Sequence, residues 1–378
     1  MKKPLLIVAI ILAVILVLPV INLLRWTFQA KKPMGIIIVD KTVPTLDREK
    51  HKSLNWVLIN DRVVKKEKKT SYSYRKDYYG FMPTRPLRNH LWDRNEYHLA
   101  DLPDLWNKND AVYFADTYGV FFNDWYQGLN VSRKSRKLFG ALNNNDRVLI
   151  KEMKDRNKLV ICEYNCFDYP TSDYDSYMIQ ERLGIKWSGW TGKYYSSLDS
   201  TKEDLPIWMT AMYRRQFKKP WTFKKSGIVL LKDKAIMVLD EGTLLKSSLP
   251  HIITDSANCA KYKIPSSVAF DHSFDIIDPM ENNVISKFKI ETTALGDSLL
   301  SEFGLTNQFP AVTQEPKQMR TYYFSGDFTN TDIPVWTSRF VGVEKLKFIL
   351  YSSKPDDTRR FFWLYYKPLI GEIFNNYY

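Results

Sequence analysis

Three short runs decide most of what this chain can fold into: IIIVD (Ile36–Asp40), VYFAD (Val112–Asp116) and VICE (Val160–Glu163). Each is apolar and rich in β-branched or aromatic residues, and each stops on a carboxylate. A run without polar alternation suits a strand covered on both faces, as in a parallel sheet. Helical spacing separates or follows them, over Leu46–Asn60, Leu142–Arg156 and Asp175–Leu183, the last ending at Gly184. Alternating strands and helices predict an α/β fold with a parallel sheet and helices on both faces.

The rest of the body divides by texture. Residues 61–103 are polar, aromatic and broken by prolines, and read as a long irregular insertion. Ile185–Tyr195 reads as an extended segment or hairpin near the sheet edge, and Gly227–Gly242 as a hairpin turning at Asp233-Lys234. FPAVTQ, beginning at Phe309, and TYYFSGDF, beginning at Thr321 and ending past Asp327, are two further strand-like pieces. Asp356–Phe374 reads as an aromatic helix that breaks at Pro368 and closes the core. The expected organisation is an anchor at 1–30, an α/β core at 31–195, a β-rich continuation of the sheet at 196–345 and a helical end at 346–378.

Pro4 to Leu24 carries no charge, between Lys2-Lys3 and Arg25. As a helix it spans ~30 Å, the thickness of a bilayer core. It is longer than the apolar region of a signal peptide, and Ala30 lacks a small residue two positions before it, so an uncleaved transmembrane anchor is expected. Trp26 stands where an interfacial aromatic belongs. Charges on the two sides nearly balance. The short N-terminal tail favours an inside amino terminus and an extracytoplasmic body.

The 378 residues carry a formal net charge of +13, which favours anionic partners such as lipid headgroups or acidic wall polymers. Lys65–Lys69 and Arg214–Lys219 are the densest basic clusters, and no nucleic-acid module is visible. Cys162, Cys166 and Cys259 form neither a disulfide framework nor a zinc pattern, and the five histidines form no metal motif. Neither a cofactor nor a metal is expected.

In an open parallel sheet, ligands bind beyond the carboxyl ends of the strands. That rule gathers Asp40, Asp116 and Glu163 in one crevice, with Asp327 joining if its strand is parallel. The cluster has three readings: a glycosidase carboxylate pair, an oxygen-rich cation site, or structural caps and turns. Asn165, Trp187 and Trp190 complete the candidate ligand-binding set, with Tyr78 and Tyr79 as further stacking surfaces. Asp116 and Glu163 are the candidates for any catalysis.

The order IIIVDKT, AVYFADTYG, KLVICEYN and YYFSGDF resembles the flavodoxin-like core of class I glutamine amidotransferase-like proteins. The resemblance covers Gly35 to Gly192 and the strand before Asp327, and implies a flavodoxin-like sheet. By register, Cys162 stands where that superfamily places its nucleophile, in a G-x-C-x-G elbow. Val160 and Tyr164 replace the small residues of the elbow, and the partner His-x-Glu is absent. The expectation is a membrane-anchored, non-catalytic binding or assembly protein of the cell envelope, with a polysaccharide as ligand. Two alternatives stand beside it: a carbohydrate-active hydrolase, and a cytoplasm-facing regulatory subunit of a membrane complex.

Overall fold

A parallel strand buried on both faces needs apolar residues at every position, and three segments of the computed structural model meet that demand. They are β1 (Ile36–Asp40), β3 (Ala111–Asp116) and β4 (Leu159–Glu163), with every residue buried. The structure describes residues 17–84, 89–126, 135–202, 205–247, 249–346, 350–354 and 357–378. β1 lies parallel to β3, with Ile36 opposite Ala111, and β3 lies parallel to β4, with Ala111 opposite Leu159. β5 (Thr321–Phe324) joins the far side of β4 in parallel, with Thr321 opposite Val160. β2 (Tyr79–Pro83) flanks β1, also in parallel.

The parallel centre therefore runs β2-β1-β3-β4-β5. Antiparallel strands extend it at both edges, giving a ten-stranded mixed sheet among the described residues. Trp92–Asn95 pairs with β2 at one end. Gln308–Gln314, Asn283–Lys289, His251–Thr254 and Ser267–Ala269 continue from β5 at the other. Residues 61–103 are thus not simply irregular. Tyr79–Pro83 is a sheet strand whose apolar content is diluted by Gly80 and Pro83, which hid it from a periodicity reading. Lys186–Tyr195 is also not at the edge of this sheet. It sits between Gly227–Lys232 and Ser273–Asp278 in a separate four-stranded antiparallel sheet that includes Ala235–Asp240.

Side chains of β1 alternate between two cores, as the pleat requires. Ile36 and Ile38 pack with α1 (Glu49–Asn60) and the C-terminal helix, whereas Ile37 and Val39 pack with α2 (Asn144–Asp155) and α3 (Asp173–Leu183). α2 starts at a reciprocal cap between Asn143 and Asp146, and α3 ends at Gly184 in the left-handed region.

The C-terminal helix does not break at Pro368. Helical turns at Thr358–Phe361 pass through a π segment, Phe362–Tyr366, into Lys367–Tyr377. The Lys367 N–H bonds back to the Phe362 carbonyl, and this wider turn makes room for the proline ring. Phe361, Phe362, Tyr365 and Tyr366 are buried and close the core.

Most of Pro4 to Leu24 lies outside the described residues. Among those described, no helix is long and apolar enough to cross a membrane. Residues 17–28 are helical, with Val17, Leu18, Val20, Ile21, Leu24 and Phe28 exposed. Trp26 is not an interfacial side chain. It is 9% exposed, donates its indole N–H to the Ile59 carbonyl at 2.9 Å, and lies 4.3 Å under the Arg62 guanidinium. Burial against α1 and a cation–π contact hold it to the body instead.

Candidate functional site

The carboxyl ends of β1, β3 and β5 meet at the start of α1, and that meeting makes the site. Helices that follow parallel strands begin beside the strand ends, so Lys50 and His51, in the first turn of α1, reach the carboxylates. The Lys50 ammonium lies against Asp327 Oδ2 and 3.5 Å from Asp116 Oδ2. Burial works against its charge, and the Asp327 and Asp116 carboxylates outweigh that, so its pKa is raised. Asp116 Oδ1 accepts from the Thr42 hydroxyl at 2.6 Å, the Tyr118 N–H at 2.9 Å and the Asn165 amide at 3.4 Å. Even so, burial pushes the Asp116 carboxyl up to about 6.

Asp40 is buried beside this group, with Oδ2 2.5 Å from His51 Nδ1. His51 Nε2 is 2.7 Å from the Tyr74 carbonyl, which can only accept. Nε2 is therefore the donor to that carbonyl, and Nδ1 shares a hydrogen bond with Asp40.

Glu163 faces away from solvent. Oε1 accepts from the Tyr113 hydroxyl, which is 2.9 Å from the Tyr366 hydroxyl, and Oε2 accepts from the Thr329 N–H at 3.2 Å and hydroxyl at 2.9 Å. Burial holds this carboxyl well above the usual range despite those donors. Asp275 adds a further buried carboxyl. It accepts from the Tyr323 hydroxyl at 2.6 Å and the Asn165 N–H at 3.3 Å, and burial pushes it up to about 7.

Of the residues expected from sequence, Asp40, Asp116, Asp327 and Asn165 come together, and β5 runs parallel so that Asp327 does arrive. Glu163 sits behind them as a core hydrogen-bond acceptor. Trp190 is 3% exposed and packs edge-on to Phe303, so its ring offers no face to a ligand. Trp187 is half-buried and donates to the Trp190 carbonyl at 3.3 Å. Tyr78 is buried under Arg48. Lys50, His51, Thr42 and Asp275 were missed. The one signal for Lys50 and His51 was EKHK, the charged first turn of the helix that follows the first strand, and Thr42 and Asp275 had none.

Cys162 is a core residue. It is 1% exposed, and burial drives its thiol far above the ordinary value, the opposite of what a thiolate nucleophile requires. The turn after β4 places Asn165, not Cys162, at positive φ (70°), a conformation that asparagine tolerates. Among the described residues no group of His, Cys, Asp or Glu is arranged to hold a metal. The cation between the carboxylates is Lys50. Thr42, Lys50, Tyr164 and Asn165 beside the carboxylates are half-buried, and the Thr42 hydroxyl, the Lys50 ammonium and the Asn165 amide are already bonded to Asp116 or Asp327.

No family model, curated protein or solved structure matches this chain.

Proposed function

We propose that this chain is a membrane-anchored binding or assembly protein of the cell envelope, without catalytic activity, whose ligand is a polysaccharide. Counting only its parallel strands, the order β2-β1-β3-β4-β5 is second-first-third-fourth-fifth, as in flavodoxin-like sheets, with the antiparallel strands of the sheet intervening in the chain before β3 and before β5. It favours the amidotransferase-like reading. In that order the direction of winding reverses between β1 and β3, where Thr42 bridges to Asp116 and ligands are expected to dock. The uncharged Pro4–Leu24 and the exposed apolar residues of 17–28 favour a membrane helix. The net charge of +13 favours an acidic polymer as partner.

One observation carries the non-catalytic reading. Each carboxylate that glycoside hydrolysis would recruit is already committed inside the protein: Asp40 to His51, Asp116 and Asp327 to Lys50, and Glu163 to Tyr113 and Thr329. A glycosidase needs two carboxyls facing one bond, with room for sugar or water between them. Here an ammonium fills that room.

The test presents the full-length chain, in neutral detergent, with envelope polysaccharide. Retention of the polymer at unchanged length supports the proposal. Shortening of the polymer that stops in Glu163→Gln supports the hydrolase instead. Protease protection of the body in intact cells, lifted by lysis, favours an inward-facing regulatory subunit.

A further inference from the structure

We propose a second binding site, for an acidic saccharide, in the cleft where β1 and β2 part. The two strands pair only through Val39 with Tyr79 and Asp40 with Gly80. Gly80 is essential to that close approach, because a Cβ there would lie 1.6 Å from the Asp40 carbonyl oxygen. Toward the start of β1 the strands diverge, and the edge at Ile36–Ile38 borders a cleft of about 330 Å³. Tyr72 closes one end, its hydroxyl accepting from the Ile36 N–H at 2.8 Å and donating to the Met34 carbonyl at 2.7 Å. The volume lies at the lower end of small-molecule sites, enough for one or two sugar units.

The lining determines the chemistry. Lys65, Lys66 and Lys68 come from the tight turn closed by the Lys69 N–H on the Lys65 carbonyl, and Lys76 and Lys108 come from two other segments. Glu67 and Asp77 are the acids of the same lining. Lys65 is held by both oxygens of Asp77 at 2.9 Å, Lys66 by Asp110 at 2.9 Å and Lys108 by Asp104 at 2.8 Å. Lys68 and Lys76 have no ion-pair partner among the described residues. Lys68 and Lys76, from two segments lining one concavity, are the ammonium groups left to attract an anion there. Tyr79 and Asn95 also line the cleft. The Asn95 amide donates to the Tyr78 carbonyl at 2.7 Å, which leaves its oxygen to accept from a hydroxyl. Ammonium groups for carboxylate or phosphate, beside an amide and an aromatic ring for hydroxyls, fit a charged sugar better than a bare anion.

This site is separate from the strand-end carboxylates and does not depend on the anchor. The test titrates the full-length chain in neutral detergent with oligogalacturonate, glucose 6-phosphate, inorganic phosphate, a neutral malto-oligosaccharide and a single-stranded DNA oligonucleotide. Either acidic sugar should bind at least tenfold more tightly than inorganic phosphate or the neutral sugar, and the tighter of the two identifies the anionic group. Lys68→Glu/Lys76→Glu should weaken that binding at least tenfold, whereas Lys287→Glu/Lys317→Glu, both exposed elsewhere, should change it less than twofold. The inference is overturned if neither acidic sugar binds, if the two lysine pairs lose binding equally, or if the DNA binds as tightly as the sugars. Carbonate extraction of the Lys68→Glu/Lys76→Glu chain reads the anchor independently.

Discussion

Replacing Lys50 by methionine should leave the fold standing but weaken it in a pH-dependent way. The methionine keeps most of the lysine's apolar stem and removes only the charge. Asp116 and Asp327, whose side chains are 2% and 5% exposed, then face each other without their cation. Removing one partner of a fully buried ion pair costs about 3–5 kcal/mol, and because the Lys50 side chain is 21% exposed we expect about 2–4 kcal/mol near pH 8. The sign of the pH dependence follows from Asp116. Its carboxyl is already raised to about 6, and losing Lys50 raises it further. Between the unfolded value of about 4 and this raised value the native state binds more protons than the unfolded state, so stability falls as pH rises. The penalty should therefore shrink to about 1–2 kcal/mol at pH 5, where Asp116 takes up a proton and the repulsion ends. Asp327→Asn added to Lys50→Met should recover more than half of the loss at pH 8. The assay is urea unfolding of the full-length chain in neutral detergent, followed by tryptophan fluorescence at both pH values. The reasoning fails if Lys50→Met lies within ~0.5 kcal/mol of wild type at pH 8, or if the penalty grows on acidification.

Asp275→Asn keeps an acceptor for the Tyr323 hydroxyl and removes a carboxyl that burial pushes to about 7, so it should cut the stability lost between pH 5 and 7.5 by ~2–3 kcal/mol; an unchanged slope would count against it. Gly80→Ala should cost about 3 kcal/mol in the same unfolding assay, because its methyl collides with the Asp40 carbonyl. With a maleimide reagent, Cys259 should label in the native state, whereas Cys162 and Cys166 should label only after denaturation. Trp26→Ala should speed limited proteolysis between residues 26 and 31, since it removes both the hydrogen bond to Ile59 and the Arg62 contact.

How far a sequence betrays its fold depends on whether one physical demand dominates a segment. Burial on both faces does so for Ile36–Asp40, Ala111–Asp116 and Leu159–Glu163, and those strands were legible together with the edge where they end. Tyr79–Pro83 obeys a second demand, close backbone approach at Gly80, and that need diluted its apolar pattern. Pro368 was misread because a helix can widen by one residue ahead of a proline, which a rule about helix breaking does not anticipate. At the site, the carboxylates were legible because strand ends are, whereas Lys50 and His51 belong to the next element. Their role depends on how α1 leans over the sheet, and a helix's lean leaves no mark on its spacing. Trp190 misled because an aromatic beside glycines looks exposed until the neighbouring Phe303 covers it.

The C-terminal helix has a consequence for how the chain is made. Tyr366 shares a hydrogen bond with Tyr113 at the middle of the sheet, Lys32 meets Asn375, and β5 enters the parallel centre beside β4 only at residue 321. The chain's beginning is therefore completed by its end. At about 5–20 residues per second, β1 waits on the order of tens of seconds after synthesis before its core can close. During that wait the β-branched edges of β1, β3 and β4 are the segments most open to pairing with another chain. Release of a truncated product, lacking even the last turns of the final helix, would prolong that exposure indefinitely.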